Sequence, residues 1–201
     1  MWMNVKRILE KPYVYTLFQR IYGGEYAREI FIDKYVKPTD GMKILDVGCG
    51  PGEILRYLPR VHYTGIDIDA KYISRARDNF GSRANFLHSD IKNIDYKILG
   101  TFDVIMAIGV LHHLSDEENI FLFDKIEPLL GKDGFFITLD PCLYPAQGRF
   151  RNFANSLDRG RYVREGDQYA SLLRRQFAKT ELFPRAFTIF RTAHLITKSW
   201  A

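Results

Sequence analysis

The stretch Lys43-Ile44-Leu45-Asp46-Val47-Gly48-Cys49-Gly50-Pro51-Gly52 decides how the rest of this chain is read. Ile44, Leu45 and Val47 make an apolar run of the length of a buried strand. Gly48, Gly50 and Gly52 follow, with a backbone that carries no Cβ atoms to hold a ligand away. A strand, a tight turn and the start of a helix are therefore expected, and with them a nucleotide-type cofactor site. The glycine spacing is G-x-G-x-G, whereas a pyrophosphate is seated on a helix N-terminus by G-x-G-x-x-G. Asp46, two residues ahead of the turn, would repel a pyrophosphate but suits a cationic group such as the ammonium of an amino acid.

Working outward, Tyr63 to Asp69 is a second apolar strand ending in an acid, and Asp67 lies 21 residues after Asp46. That spacing fits an acid that accepts hydrogen bonds from ribose hydroxyls. Asp90 closes a third strand-like run over 84–88, and the long apolar run from Phe102 to Leu111 leads into His112-His113. The pattern predicts strands over 43–47, 63–67, 84–88, 102–108, 134–139, 180–183 and 193–198. Helices are predicted over 52–58, 70–80, 116–130 and 167–177. Such alternation implies an α/β fold, a doubly wound, Rossmann-like and mostly parallel seven-stranded sheet with helices on both faces. Two further helices, 2–22 and 25–35, precede the first strand and are expected to form an N-terminal lid. The second should stop before Pro38.

At 201 residues, 46% of them hydrophobic and 26% charged, the chain has the size and balance of one domain. The expected division is 1–37 for the N-terminal helices, 40–140 for a cofactor-binding core, 141–182 for a basic insertion and helix, and 180–201 for the C-terminal strands. Val104 to Leu111, the longest apolar run, is far short of a membrane span, and no secretory pattern opens the chain. A cytoplasmic location follows as the expectation, and Cys49 and Cys142 do not suggest a disulfide framework. The net charge of +5 is uneven: residues 143–201 hold 11 Lys/Arg against 4 Asp/Glu. Nine of those eleven cations are Arg, whose planar fork suits phosphate or carboxylate. A solvated helix face would have the same composition.

The motifs now quoted resemble those of the class I S-adenosylmethionine-dependent methyltransferases. The resemblance rests on LDVGCGPG at Leu45 to Gly52, GIDID at Gly65 to Asp69, Ser89-Asp90, the run from Phe102 to Glu118, and Leu129 to Asp140. In the last of these Asp133-Gly134 stands in place of a double glycine. It covers about residues 40–140. The flanks are similar to a narrower set, including methyltransferases of surface-polysaccharide gene clusters.

The resemblance implies a transferase that uses S-adenosyl-L-methionine, leaves S-adenosyl-L-homocysteine, and needs no metal. It also implies roles for individual residues. The backbone of Gly48, Cys49, Gly50 and Gly52 would wrap the methionine portion, with Asp46 near its positive charges. Asp67 would accept the ribose hydroxyls and Asp90 the adenine amino group. Ile68 and Ile91 would sandwich the ring, and Ala107 and Ile108 would offer carbonyls to the ammonium.

His112, His113 and Asp140 are the candidate catalytic residues. A histidine near its ordinary pKa can take a hydroxyl proton, but two adjacent side chains cannot both face one site. Either could instead cap or pack the loop, and Asp140 could simply form a turn with Pro141. Tyr13, with Tyr15 and Gln19, would close over the cofactor. Tyr144, Arg149, Tyr162 and Arg164 would form an acceptor wall for a phosphate or carboxylate. The expected acceptor is a small molecule or a glycan-like or lipid-linked intermediate, because the chain has little room for a module that recognises nucleic acid. The rival reading is a non-catalytic protein that binds S-adenosylmethionine or assembles with a partner.

Overall fold

The computed structural model describes residues 28–143, 161–186 and 193–201. Eight strands run through them: β1 Lys43–Val47, β2 His62–Asp67, β3 Ala84–His88, β4 Phe102–Ile108, β5 Leu130–Leu143, β6 Arg164–Glu165, β7 Lys179–Ala186 and β8 Ala193–Trp200. Seven lie side by side in the order β3-β2-β1-β4-β5-β8-β7, and the two-residue β6 pairs with the end of β5. Strands β1 to β5 are mutually parallel, and β8 runs antiparallel between β5 and β7. The sheet is thus the mixed, mostly parallel α/β sheet that the strand-helix alternation predicts.

Each central strand is apolar on both sides because helices cover both faces. The side chains alternate accordingly. Ile44, Tyr63, Val104, Met106 and Ile137 point to one core cluster, which also holds Phe31, Leu55, Ile73 and Phe80. Leu45, Ile66, Ile105, Ala107 and Phe136 point to the other, with Leu122, Phe123, Tyr169 and Leu173. Asp46 falls between Leu45 and Val47, so strand parity turns its side chain toward the first face.

Among the described residues, three α-helices are capped by side chains that the sequence supplies. In α1, Ala70–Phe80, the Asp69 carboxylate accepts from the Lys71 and Tyr72 amides, and Ile73, Ala76 and Phe80 form the buried stripe. In α2, Asp116–Ile126, Ser115 and Glu118 form a capping box, and Asn119, Leu122, Phe123 and Ile126 are buried. In α3, Gly166–Leu173, Glu165 and Gln168 form another.

Several boundaries differ from expectation. The segment expected as a helix over 52–58 is a 3-10 turn, Glu53–Tyr57, because Gly52 is left-handed (φ 75) and Leu58 is already extended before Pro59. α2 ends at Ile126 and gives way to a 3-10 turn over Glu127–Leu129 with Pro128 at its start. α3 stops at Leu173, four residues short of expectation, with turn bonds continuing to Phe177. β5 is longer than 134–139, because Asp140 and Pro141 still pair with Leu195 and His194 of β8. The helical stretch over 28–36 ends where Lys37 turns left-handed (φ 53) ahead of Pro38. The rest of the expected N-terminal lid lies outside the described residues. Among those described, no helix is long and apolar enough to cross a membrane.

Candidate active site

The turn after β1 is set by hydrogen bonds that only a tight, positive-φ backbone can make. Gly48, Gly50 and Gly52 have φ of 73, 54 and 75 degrees, a region costly for residues with a Cβ. The amides of Gly48 and Cys49 both donate to the Ile66 carbonyl of β2, at 2.8 and 3.0 Å. The three glycines meet different surroundings. A Cβ on Gly48 would lie 2.5 Å from Val110 Cγ2, and one on Gly52 would press on Phe80 and Phe86. Among the described residues, a Cβ on Gly50 would meet nothing within 4 Å. The backbone of Gly50 is therefore uncovered by those residues, the condition for a ligand to lie against it.

Carboxylates stand at or just past the ends of the neighbouring strands. Asp67, the last residue of β2, accepts from the Gly50 amide at 2.7 Å through Oδ2 and from the Asp69 amide at 2.8 Å through Oδ1. Each oxygen has a second lone pair, so Asp67 can hold the turn and still accept from a ligand hydroxyl. Asp90 accepts from the Lys92 amide at 2.9 Å. Ile68 is 66% exposed, an apolar side chain left open beside the turn. Ile91 packs against the second core cluster.

Asp46 is buried, and only one of its oxygens is engaged. The Tyr63 hydroxyl donates to Oδ2 at 2.5 Å, while Oδ1 has no hydrogen-bond partner among the described residues. Burial pushes the carboxyl up from 3.8 to about 7, against the Tyr63 hydrogen bond; Asp67 adds to the rise and Arg28 opposes it. A buried carboxylate with an orphaned oxygen is costly unless a donor reaches it, and a ligand ammonium would be such a donor. Burial also raises the Cys49 thiol and the Tyr63 phenol, so both stay protonated.

Across the sheet, β4 ends at Ile108, and the chain turns through Gly109 (φ 67) into a 3-10 turn over Leu111–His113. His112 is 3% exposed, and its Nδ1–H donates to Asp140 Oδ1 at 2.8 Å. The same oxygen accepts from the His112 amide at 3.2 Å. That bond fixes the tautomer and leaves Nε2 as the basic nitrogen. His113 is exposed, with its ring centroid 4.1 Å from that of His112. The pair divides as two adjacent side chains must.

Two expectations need correction here. Asp140 does not stand at the strand mouth as a base of its own; it lies within β5, 1% exposed, with Oδ1 committed to His112. Arg164 does not present its guanidinium to an acceptor. It is 6% exposed, and all five of its N–H groups donate to protein oxygens. An anion would have to displace one of those acceptors. Tyr162 is 41% exposed, and its amide donates to the His112 carbonyl at 2.9 Å. Tyr13, Tyr15, Gln19, Tyr144 and Arg149 lie outside the described residues.

Sequence reasoning missed Tyr63 as the partner of Asp46. The parallel register pairs Asp46 with Gly65, so Tyr63, two residues earlier on the same face, lies diagonally across from it. Gly65 leaves the gap through which the two meet, since a Cβ there would lie 3.0 Å from Tyr63 Cε1 and 2.8 Å from Cys49 Sγ.

The sheet order, with its one antiparallel strand, and the glycine turn at the carboxyl end of β1 define a Rossmann-like class I nucleotide-cofactor fold. Residues 44–134 match the family model described as a methyltransferase domain. An uncharacterized methyltransferase of Mycobacterium tuberculosis is 37% identical over 82 residues, covering 39% of this chain and 41% of its own. Phosphoethanolamine N-methyltransferase 1 of Triticum aestivum is 26% identical over 178 residues, 85% of this chain and 34% of that one. The chain thus spans less than half the length of these curated relatives. Among solved structures, the plantazolicin methyltransferase BpumL in complex with SAH superposes with a TM-score of 0.69 at 18% identity, over 98% of this chain and 95% of that one. The pyocyanin biosynthetic protein PhzM gives 0.68 at 15%, over 88% and 55%. At such identities the likeness is one of fold.

Proposed function

We propose that this protein transfers the methyl group of S-adenosylmethionine to a small-molecule, glycan-like or lipid-linked acceptor in the cytoplasm. One observation carries the reading: among the described residues, an open cradle at Gly50 lies beside carboxylates at the ends of β1 and β2, one with an orphaned oxygen and one with spare lone pairs. That set of acceptors fits an ammonium and a ribose. When bound, the cofactor supplies a methyl on a sulfonium, already activated for displacement. The chain then has to bind, orient and remove a proton.

In this reading Gly48 to Gly52 hold the methionine portion with Asp46, and Asp67 takes the ribose hydroxyls. Asp90, Ile68 and Ile91 take the adenine, and the Ala107 and Ile108 carbonyls take the ammonium. Holding two reactants in line can account for about 7 to 11 kcal/mol of a barrier, so a strong base is not required. For a hydroxyl or ammonium acceptor, His112 Nε2 receives the proton while Asp140 keeps the ring oriented and stabilises the imidazolium. Tyr162 forms part of the acceptor wall beside His112.

The test is a transfer assay with methyl-labelled S-adenosylmethionine. The acceptor panel holds phosphoethanolamine, sugar nucleotides, lipid-linked sugars and aromatic hydroxy acids, with product mass as the readout. Tight binding of S-adenosylhomocysteine without turnover on any acceptor would favour a non-catalytic binding protein instead.

A further inference from the structure

We infer that Arg164 is a positioning residue, a buried clasp that locks the Tyr162 wall onto the two-histidine turn so that the acceptor face and the His112 ring are set as one unit. The inference rests on the methyltransferase reading for its function and on the structure for its geometry. Arg164 belongs to β6, whose pairing with Cys142 and Leu143 carries it just past Asp140. From there the guanidinium reaches back to the turn after β4. Nη1 donates to the Leu111 carbonyl at 3.1 Å and to the Tyr162 carbonyl at 2.9 Å. Nη2 donates to the Leu114 carbonyl at 2.9 Å. Nε and Nη2 both reach Asp116 Oδ1, at 3.0 and 2.6 Å. Leu111 and Leu114 bracket the histidine pair, so the fork grips the turn at both ends.

The chemistry is specific to arginine. A lysine offers three donors from a single point and cannot span carbonyls on two segments together with a carboxylate. The rings of Tyr162 and Tyr169 each lie 5.7 Å from the guanidinium carbon, within cation-π distance. A buried cation is costly to maintain, and an apolar side chain could fill the same space. What it adds here is register: the Tyr162 carbonyl is held by Arg164 and the Tyr162 amide is held by the His112 carbonyl. Asn119 Nδ2 contacts the Leu111 and Leu114 carbonyls as well, so the turn keeps its fold without Arg164 but loses its tie to Tyr162.

The test compares the parent with Arg164→Lys and Asp116→Asn by three measurements. S-adenosylhomocysteine calorimetry should give parental affinity in both variants, because the cradle at Gly50 is not touched by the clasp. Nitrogen NMR of the imidazoles should show His112 as the Nδ1-protonated tautomer in the parent and a shifted resonance in Arg164→Lys. Hydrogen exchange of the Tyr162 amide should quicken by about tenfold or more in Arg164→Lys and by less in Asp116→Asn. A residue serving stability alone would lower the unfolding midpoint and leave the His112 resonance where it was. A parental His112 resonance and parental exchange in a folded Arg164→Lys would overturn the inference. If that variant does not fold, parental readings in Asp116→Asn would do so. A parent that binds no S-adenosylhomocysteine would instead sink the methyltransferase reading, leaving the clasp geometry to be judged by the other two readouts.

Discussion

Replacing Asp46 by asparagine separates the charge of this carboxylate from its shape. Burial raises its carboxyl from 3.8 to about 7, with Tyr63 on Oδ2 and no partner for Oδ1 among the described residues. Between those two values the folded state holds a proton that the unfolded chain has released. Stability must therefore fall as pH rises through that window and level off above about 7. The full gap corresponds to about 4 kcal/mol, of which about 3 lies between pH 5 and pH 8. Tyr63 and Cys49 do not titrate in that range, since burial raises both, and the fields of Asp67 and Arg28 on Asp46 oppose each other. Asp46→Asn has no charge to bury and keeps an oxygen for the Tyr63 hydroxyl. Urea unfolding of parent and variant at each pH cancels the other groups, and the variant should gain about 3 kcal/mol on the parent between pH 5 and pH 8. Saturating S-adenosylhomocysteine should shrink that gain, because an ammonium at Oδ1 favours the ionised carboxyl. Parallel stability curves without ligand would refute the reasoning, since they would mean that Asp46 ionises in the fold as it does in the open chain.

Asp67→Ala removes the acceptor of the Gly50 and Asp69 amides together with the proposed ribose partner. Binding of S-adenosylhomocysteine should weaken by about tenfold or more, about 1.4 kcal/mol, and a calorimetric affinity within about twofold of the parent would contradict the assignment. Gly50→Val meets no described neighbour but strains a left-handed backbone (φ 54), so a cooperative thermal transition should survive at a lower midpoint while cofactor binding is lost. Retained binding would reduce the turn to a connector. Gly48→Ala should behave in the opposite sense: its Cβ would strike Val110, and the unfolding free energy should drop by about 1 to 3 kcal/mol in urea.

The elements of the core were legible because their signals are local. Periodic apolar residues marked β1 to β4, α1 began and ended as its Asp69 cap and buried stripe dictate, and the three glycines announced a positive-φ turn. Helix ends were less legible where a 3-10 turn took over, as at Glu53–Tyr57, because i to i+3 and i to i+4 bonding compete over one turn at nearly equal energy. The late strands were recognised but drawn short, since the pairing of Asp140 and Pro141 with β8 depends on residues more than fifty positions away.

What the sequence determined alone was the residue inventory of the site: acids at the ends of successive strands, a turn without Cβ atoms, and two histidines after β4. Which of them face one another was a tertiary decision. Parallel register set Tyr63 diagonally across from Asp46 and left Gly65 as the gap between them. The extension of β5 put Asp140 behind His112 rather than at the site, and the return of the chain at β6 spent every donor of Arg164 on backbone and on Asp116. A side chain's chemistry is carried by its type, but its partner is fixed by strand register and burial, which arise from contacts between segments that no local pattern relates.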